Sequence, residues 1–273
     1  MIRAFRAEWY KLMRPGIIIG GAGTMIALAI LTASLIFANA QAPGATPTQG
    51  GGGGGPGGPG GLPATAVLAQ STGMVAAFGF AGALIGVVVL VLFAQSVGNE
   101  YRDGTLKMLL SREPRRLRLL AGKLAAMSLL VAAGILAAFA AQTLVAAGIA
   151  GARGIPTSAW WTQDGWDHAA AVVSRTYVVA LVDGLLGTAL AVLFRAAAPA
   201  IGVGIGYTLV GENIFLLVWR EGQNWLPGQV MQAFSRGGTP SLTMAAASWL
   251  VLGYAALFVL VSGSVFWRRD VAG

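Results

Sequence analysis

The stretch GMVAAFGFAGALIGVVVLVLFAQSV, residues 73–97, carries no charged residue along its whole length. At ~1.5 Å per helical residue a run of this kind reaches across the ~30 Å hydrocarbon core of a bilayer. Lipid offers no hydrogen bonds to the backbone, so a segment that crosses it must be helical or belong to a closed barrel. Working outward, five further runs have spanning length: 17–38, 124–150, 170–194, 200–219 and 244–267. The pattern predicts an all-α polytopic membrane protein with six transmembrane helices in a single transmembrane domain over 1–273.

Composition agrees. Of the 273 residues, 56% are hydrophobic and only 10% charged, with a mean hydropathy of +0.72, whereas a soluble domain carries roughly 25% charged residues. Soluble enzymes and soluble nucleic-acid binders do not fit. The net charge of +8 points away from nucleic acid as well, because the basic residues sit beside apolar spans rather than on a polar face. All but four of the 18 Lys and Arg residues flank the spans on one side; the exceptions are Arg153, Arg175, Arg220 and Arg236. By the bias of basic residues toward the cytoplasm, both termini are expected there. The opening MIRAFRAEWYKLMRPG is too charged for a signal-peptide n-region, so the first span is expected to be retained. The absence of cysteine removes disulfides, thiolate catalysis and cysteine metal sites.

Between the spans three segments stand out. In 1–16, Ile2, Phe5, Trp9 and Leu12 recur at helical spacing, with Arg3, Arg6, Lys11 and Arg14 on other sectors and Pro15-Gly16 at the end. This reads as an amphipathic helix in the membrane plane, its basic side toward anionic head groups of the lipid bilayer. Residues 39–72 contain PTQGGGGGGPGGPGGLP and read as an external, disordered Gly/Pro-rich loop. Ser96 to Met127, SVGNEYRDGTLKMLLSREPRRLRLLAGKLAAM, is too densely charged for hydrocarbon yet keeps an apolar face through Leu106, Leu109, Leu110, Leu117 and Leu120. Asp103-Gly104-Thr105 marks a turn and Pro114 the first turn of a second short helix. The segment 98–123 is therefore expected to form a helix-turn-helix elbow at the cytoplasmic surface.

Glu100, then Arg102-Asp103-Gly104-Thr105, Leu109-Leu110-Ser111, Pro114-Arg115-Arg116 and Gly122-Lys123 resemble the cytoplasmic signature of ABC-2 type transporter permeases, the membrane subunits of one class of ATP-binding-cassette exporters. The opening AEWYKLMRPG is similar to that family's N-terminal connecting helix. Closing FWRRD, Phe266 to Asp270, is similar to its exit from the sixth span, and NWLPGQVMQAF, Asn224 to Phe234, to its external proline-containing segment. The glycine-rich loop departs from the family pattern.

This resemblance implies a subunit that works as a pair with a second permease copy, each offering its elbow as a coupling helix to a separate ABC ATPase subunit that binds ATP and Mg. Carried over residue by residue, Glu100, Arg102, Asp103, Gly104, Thr105, Pro114, Arg115 and Arg116 are the contact and geometry positions. No G-x-x-x-x-G-K-[ST] phosphate loop occurs in the chain. It is expected not to hydrolyse ATP, to need no cofactor of its own and not to be an enzyme.

Two acids fall at membrane depth, Asp183 on the fourth span and Glu212 on the fifth, where an ionised group costs at least ~2.5–3.5 kcal/mol. Either they line a translocation path and meet a cationic or polar part of a substrate, or they make satisfied structural hydrogen bonds. His168 with Asp164 and Asp167 matches no metal-site spacing and is expected in a solvated interfacial loop. Trp160, Trp161 and Trp166, with Trp219, Trp225 and Trp267, fit an aromatic belt. Gly82 with Gly86 and Gly202 with Gly206 have the small-xxx-small spacing of close helix approaches, inside one subunit or between two.

The expected function is export of a small amphipathic, drug-like or lipid-like substrate across a bacterial cytoplasmic membrane, powered by the partner ATPase. An ion- or proton-coupled secondary transporter using Asp183 and Glu212, or a non-transporting membrane scaffold, are the competing readings.

Overall fold

The computed structural model describes residues 2–13, 15–41, 63–104 and 116–268. Among these the chain is all-helical, with no strand pairing beyond one isolated bridge between Gln41 and Ala64. Six helices are long and apolar enough to cross a membrane: span 1 Pro15–Ala38, span 2 Ser71–Arg102, span 3 Leu117–Ala152, span 4 Gln163–Phe194, span 5 Ala197–Val218 and span 6 Met244–Trp267. Each apolar run of the sequence falls in one of them, except that Trp219 lies just past the end of span 5, and spans 2, 3 and 4 extend well beyond their runs. Spans 2, 3 and 4 have 32, 36 and 32 residues, more than ~30 Å of hydrocarbon needs at ~1.5 Å per residue. Their ends project into the polar zones.

Span 4 shows why. Thr162 caps it, its side chain accepting from the Gly165 amide at 3.3 Å, and Asp164 lies in the first turn at the positive end of the helix dipole. The WWTQDGWDH stretch, expected as a loop, is therefore helical from Gln163 onward. His168 Nε2 stands 3.6 Å from Asp164 Oδ1 one turn away, and among the described residues no three potential ligands gather around a metal position.

Spans 2 and 4 form the centre of the bundle. With no hydrophobic drive between helices in lipid, close backbone approach supplies the packing. A Cβ at Gly187 would run into the Leu90 carbonyl, and one at Gly82 would lie 3.3 Å from Thr176 Oγ1. The Gly82 and Gly86 pair therefore packs inside the chain, against span 4, whereas Gly202 and Gly206 on span 5 face open space. Half of the most apolar stretch of span 4, 50%, is buried within the chain, against 11% for spans 5 and 6, which lie at the periphery.

The N-terminal helix Ile2–Leu12, the end of span 6 and the 195–197 turn lie at one end of the bundle. There Arg195 closes span 4 in the left-handed region at φ 55, and Gly98 of span 2 touches the backbone of Ala196 and Ala197, leaving no space for a side chain. At the opposite end, Arg153 caps span 1 from the end of span 3. Its guanidinium donates to Phe37 O at 2.5 Å, Ala38 O at 3.0 Å and Ala40 O at 2.9 Å.

Part of the segment expected to be disordered is ordered. Residues 63–72 pair with Gln41 and form short helices at Thr65–Leu68 and Ser71–Val75, because Leu68 and Met74 are fully buried beneath them. The Gly/Pro run itself, 42–62, lies outside the described residues. Trp160 also departs from expectation. It is not a belt residue but a core residue at 0% exposure, donating Nε1–H to Leu68 O at 2.8 Å and meeting Phe37 edge-on. Trp161, Trp166, Trp219, Trp225 and Trp267 are exposed, as a belt requires.

Candidate functional site

The first site is built at the terminal end by three helices. The N-terminal helix, Ile2–Leu12, brings Glu8 and Lys11 onto one face by their three-residue spacing. Its apolar side turns toward the bundle, where Leu12 is buried and Phe5 packs on the cluster formed by spans 1 to 4. Glu100 projects from the last turns of span 2 and Lys123 from the first turns of span 3. Lys123 Nζ stands 2.6 Å from Glu100 Oε1 and 3.1 Å from Glu8 Oε2, and Lys11 Nζ reaches the same Glu100 oxygen at 2.5 Å.

Glu8, Glu100 and Lys123 are buried, at 4%, 6% and 4% exposure, while the Lys11 side chain is 39% exposed. Two acids and two bases thus neutralise one another beneath the surface, beside a small pocket lined in part by Val97, Tyr101, Leu119 and Phe266. Each buried charge there depends on the others, since removing one partner strands the rest in a poor solvent.

The segment expected to form the elbow, 98–123, runs through this site. Arg102 and Asp103 form an exposed pair at 3.1 Å, with side chains 72% and 52% accessible. Gly104 turns the chain at φ +65, a conformation that glycine adopts without strain. Thr105, Pro114 and Arg115 lie outside the described residues, and Arg116 opens the helix Arg116–Ala152. Glu100, expected as a contact for a partner, is turned inward and held by its own chain. Among the described elbow positions, Arg102, Asp103 and Gly104, with Leu117 and Arg118 at the start of span 3, are exposed.

The second site lies inside the bundle. Counted from the 195–197 turn at ~1.5 Å per residue, Asp183 and Glu212 stand at similar heights, ~18 and ~22 Å up neighbouring helices. A π-helical turn, Tyr207–Gly211, immediately precedes Glu212. Glu212 is 1% exposed, and its two carboxylate oxygens accept from the Gly228 amide at 2.7 Å and the Gln229 amide at 3.1 Å. Tyr207, at the start of that π-helical turn, lies within electrostatic reach of Glu212. These amides belong to the first turn of the helix Pro227–Arg236, so that helix begins six residues below the end of span 5 rather than at the surface. Because it folds back beside span 5 in this way, we call it the re-entrant helix.

Apolar contacts seat the rest of this helix, with Val230, Met231 and Phe234 against Val179 and Val182 of span 4 and Val251 of span 6. Its far end closes at Gly237, φ +88, where the Arg175 guanidinium of span 4 lies so near that a Cβ would meet Nη1 at 2.8 Å. Asp183 differs from Glu212. Its carboxyl lies against the Cα of Gly86, within electrostatic reach of Glu212, with no hydrogen-bond or ion-pair partner among the described residues. The two acids are brought together, but one is satisfied and the other is not.

Sequence reasoning singled out Glu100, Asp183 and Glu212 but missed the partners that define their settings. Glu8 is the single acid in a basic amphipathic helix, and Lys123 stands at the mouth of an apolar span; both are signals of pairing. Arg175, a cation inside a spanning run, was another.

A bundle of six membrane-length helices, with an N-terminal helix ion-paired to its base, fits a multi-pass membrane protein. The chain belongs to the family described as protein of unknown function DUF2705, whose model matches residues 62–272. That range takes in spans 2 to 6 with Glu100, Lys123, Asp183 and Glu212, and stops short of Glu8 and Lys11. Among curated proteins none matches the chain.

Proposed function

We propose that the chain is the membrane-spanning permease subunit of an ABC exporter of the ABC-2 type, moving a small amphipathic, drug-like or lipid-like substrate across a bacterial cytoplasmic membrane. The supporting observation is the buried ion network. Glu100 and Lys123 stand near the two ends of the 98–123 elbow, and both are tied to the N-terminal helix through Glu8 and Lys11. A force applied to the elbow reaches spans 2 and 3 together instead of being lost in a loose loop. Arg102 and Asp103, exposed beside it, are the surface offered to the ATPase, and Glu100 is a positioning residue. The partner subunit binds ATP and Mg.

In this reading both termini are cytoplasmic, the N-terminal helix lies in the membrane plane, and a second permease copy covers the peripheral faces of spans 5 and 6. Asp183 belongs to the translocation path. Purification of the tagged chain from its native host is expected to recover a stoichiometric ATPase that Arg102→Glu releases while the six-span fold persists. A chain that never retains an ATPase would overturn the reading. One observation favours a second reading, an ion- or proton-coupled transporter: the unpaired Asp183 carboxylate at membrane depth. It requires uptake or efflux that follows an imposed ion gradient with no ATPase present.

A further inference from the structure

Two of the few charges inside the spans, Glu212 and Arg175, address the same object from opposite ends. A helix carries about half a positive charge at its N-terminus and half a negative charge at its C-terminus. Glu212 is hydrogen-bonded at the first turn of the re-entrant helix Pro227–Arg236, and Arg175 lies against Gly237 at its last. Each pole is met by the complementary charge, one from span 5 and one from span 4. Gly228 fits this seat because a Cβ there would stand 2.6 Å from Glu212 Oε2. Tyr254 of span 6 adds a hydrogen bond to Trp225 O, just before the helix.

We propose that Glu212 and Arg175 form a two-point electrostatic clamp, and that the helix it holds is a movable plug over the bundle interior beside Asp183. With the clamp engaged, Val230, Met231 and Phe234 cover Val179 and Val182, which precede Asp183 on span 4 by four residues and by one. Released, the segment between spans 5 and 6 swings toward the nearer membrane face and uncovers that side of span 4. The titratable groups facing Glu212 are Asp183, Tyr207 and Tyr254; among the described residues no cation neutralises it directly, so the peptide dipole at Gly228 and Gln229 is what holds it. The inference requires only the six-span fold and is independent of any ATPase.

Because the chain contains no cysteine, single cysteines report access cleanly. Val230→Cys, at a position with 0% exposure, is labelled with a membrane-impermeant maleimide in permeabilised cells, both membrane faces being open to the reagent. Gln232→Cys on the exposed side of the same helix gives the fully reactive rate, and Val89→Cys in the span 2 core, also at 0% exposure, reports global loosening. In the otherwise native chain Val230→Cys reacts slowly. Adding Glu212→Gln is expected to raise its rate at least about ten-fold, as the loss of charge-assisted hydrogen bonds implies, and Arg175→Gln or Gly228→Ala to raise it in the same direction, with Val89→Cys unchanged. Gly228→Ala keeps both charges and displaces only the seat, so it carries the test if a charge variant fails to insert. An unchanged rate at Val230→Cys in the Gly228→Ala and Glu212→Gln backgrounds, or an equal rise at Val89→Cys, overturns the clamp.

Discussion

Lys123 shows what a single side chain contributes at the base of the bundle. Its ammonium is shared between Glu100 and Glu8 at 4% exposure, so Lys123→Met leaves two buried carboxylates with only the half-exposed Lys11. A loss of about 3–5 kcal/mol is expected, the usual result of stranding a buried charge, measured as a fall in the unfolding temperature in detergent. Adding Glu8→Gln to that variant removes one stranded charge and is expected to restore part of the loss. Lys11→Met, at the accessible edge of the network, costs less than either. The ranking follows from what is left behind: without Lys11 the Glu100 oxygen keeps the buried Lys123, whereas without Lys123 the Glu8 carboxylate keeps no ion-pair partner among the described residues.

At the scale of the element, glycines decide which helices approach one another. Gly187 on span 4 has no space for a methyl group against the Leu90 backbone, so Gly187→Ala forces spans 2 and 4 apart and is expected to cost about 1–3 kcal/mol. At Gly82 the neighbour is the Thr176 side chain at 3.3 Å, which yields, and at Gly202 nothing lies within 4 Å. Gly82→Ala is expected to be mild and Gly202→Ala neutral or slightly stabilising through helix propensity, the order Gly187, Gly82, Gly202 being read from thermal midpoints. The sequence spacing of Gly82 and Gly86 announced a close approach, but not its partner, because a four-residue period marks a helix face without saying what it faces. For the same reason the re-entrant helix was legible as a proline-started segment and not as one that dips to Glu212: depth is set by a contact between residues 212 and 228, which no local pattern encodes.

For the whole molecule, the six crossings follow from apolar run length alone, and that is why they were readable residue by residue. The boundaries were not, since helices continue into water where caps such as Thr162 and ion pairs such as Glu100 with Lys123 sustain them. Trp160 was misplaced because a tryptophan near a span end satisfies a belt and a core equally well by composition; only the carbonyl of Leu68 separates the two. Charge bias sets the expected orientation. Reporter fusions after residue 268 and within 98–104 are expected to be active on the same, cytoplasmic side, and a fusion near Arg153 on the other; a C-terminal reporter active only outside the cytoplasm would reverse the assignment.

The bridge between Gln41 and Ala64 has a practical corollary. Thr65 donates to Gln41 O at 2.9 Å, and Arg153 fixes the three carbonyls just ahead of it, so the chain leaves and rejoins the bundle at one stapled point. An insertion between those two residues meets a fixed anchor at each end. Lengthening a closed loop costs only about 0.6 kcal/mol per doubling, which makes this the natural port for grafting an epitope or a fluorescent domain.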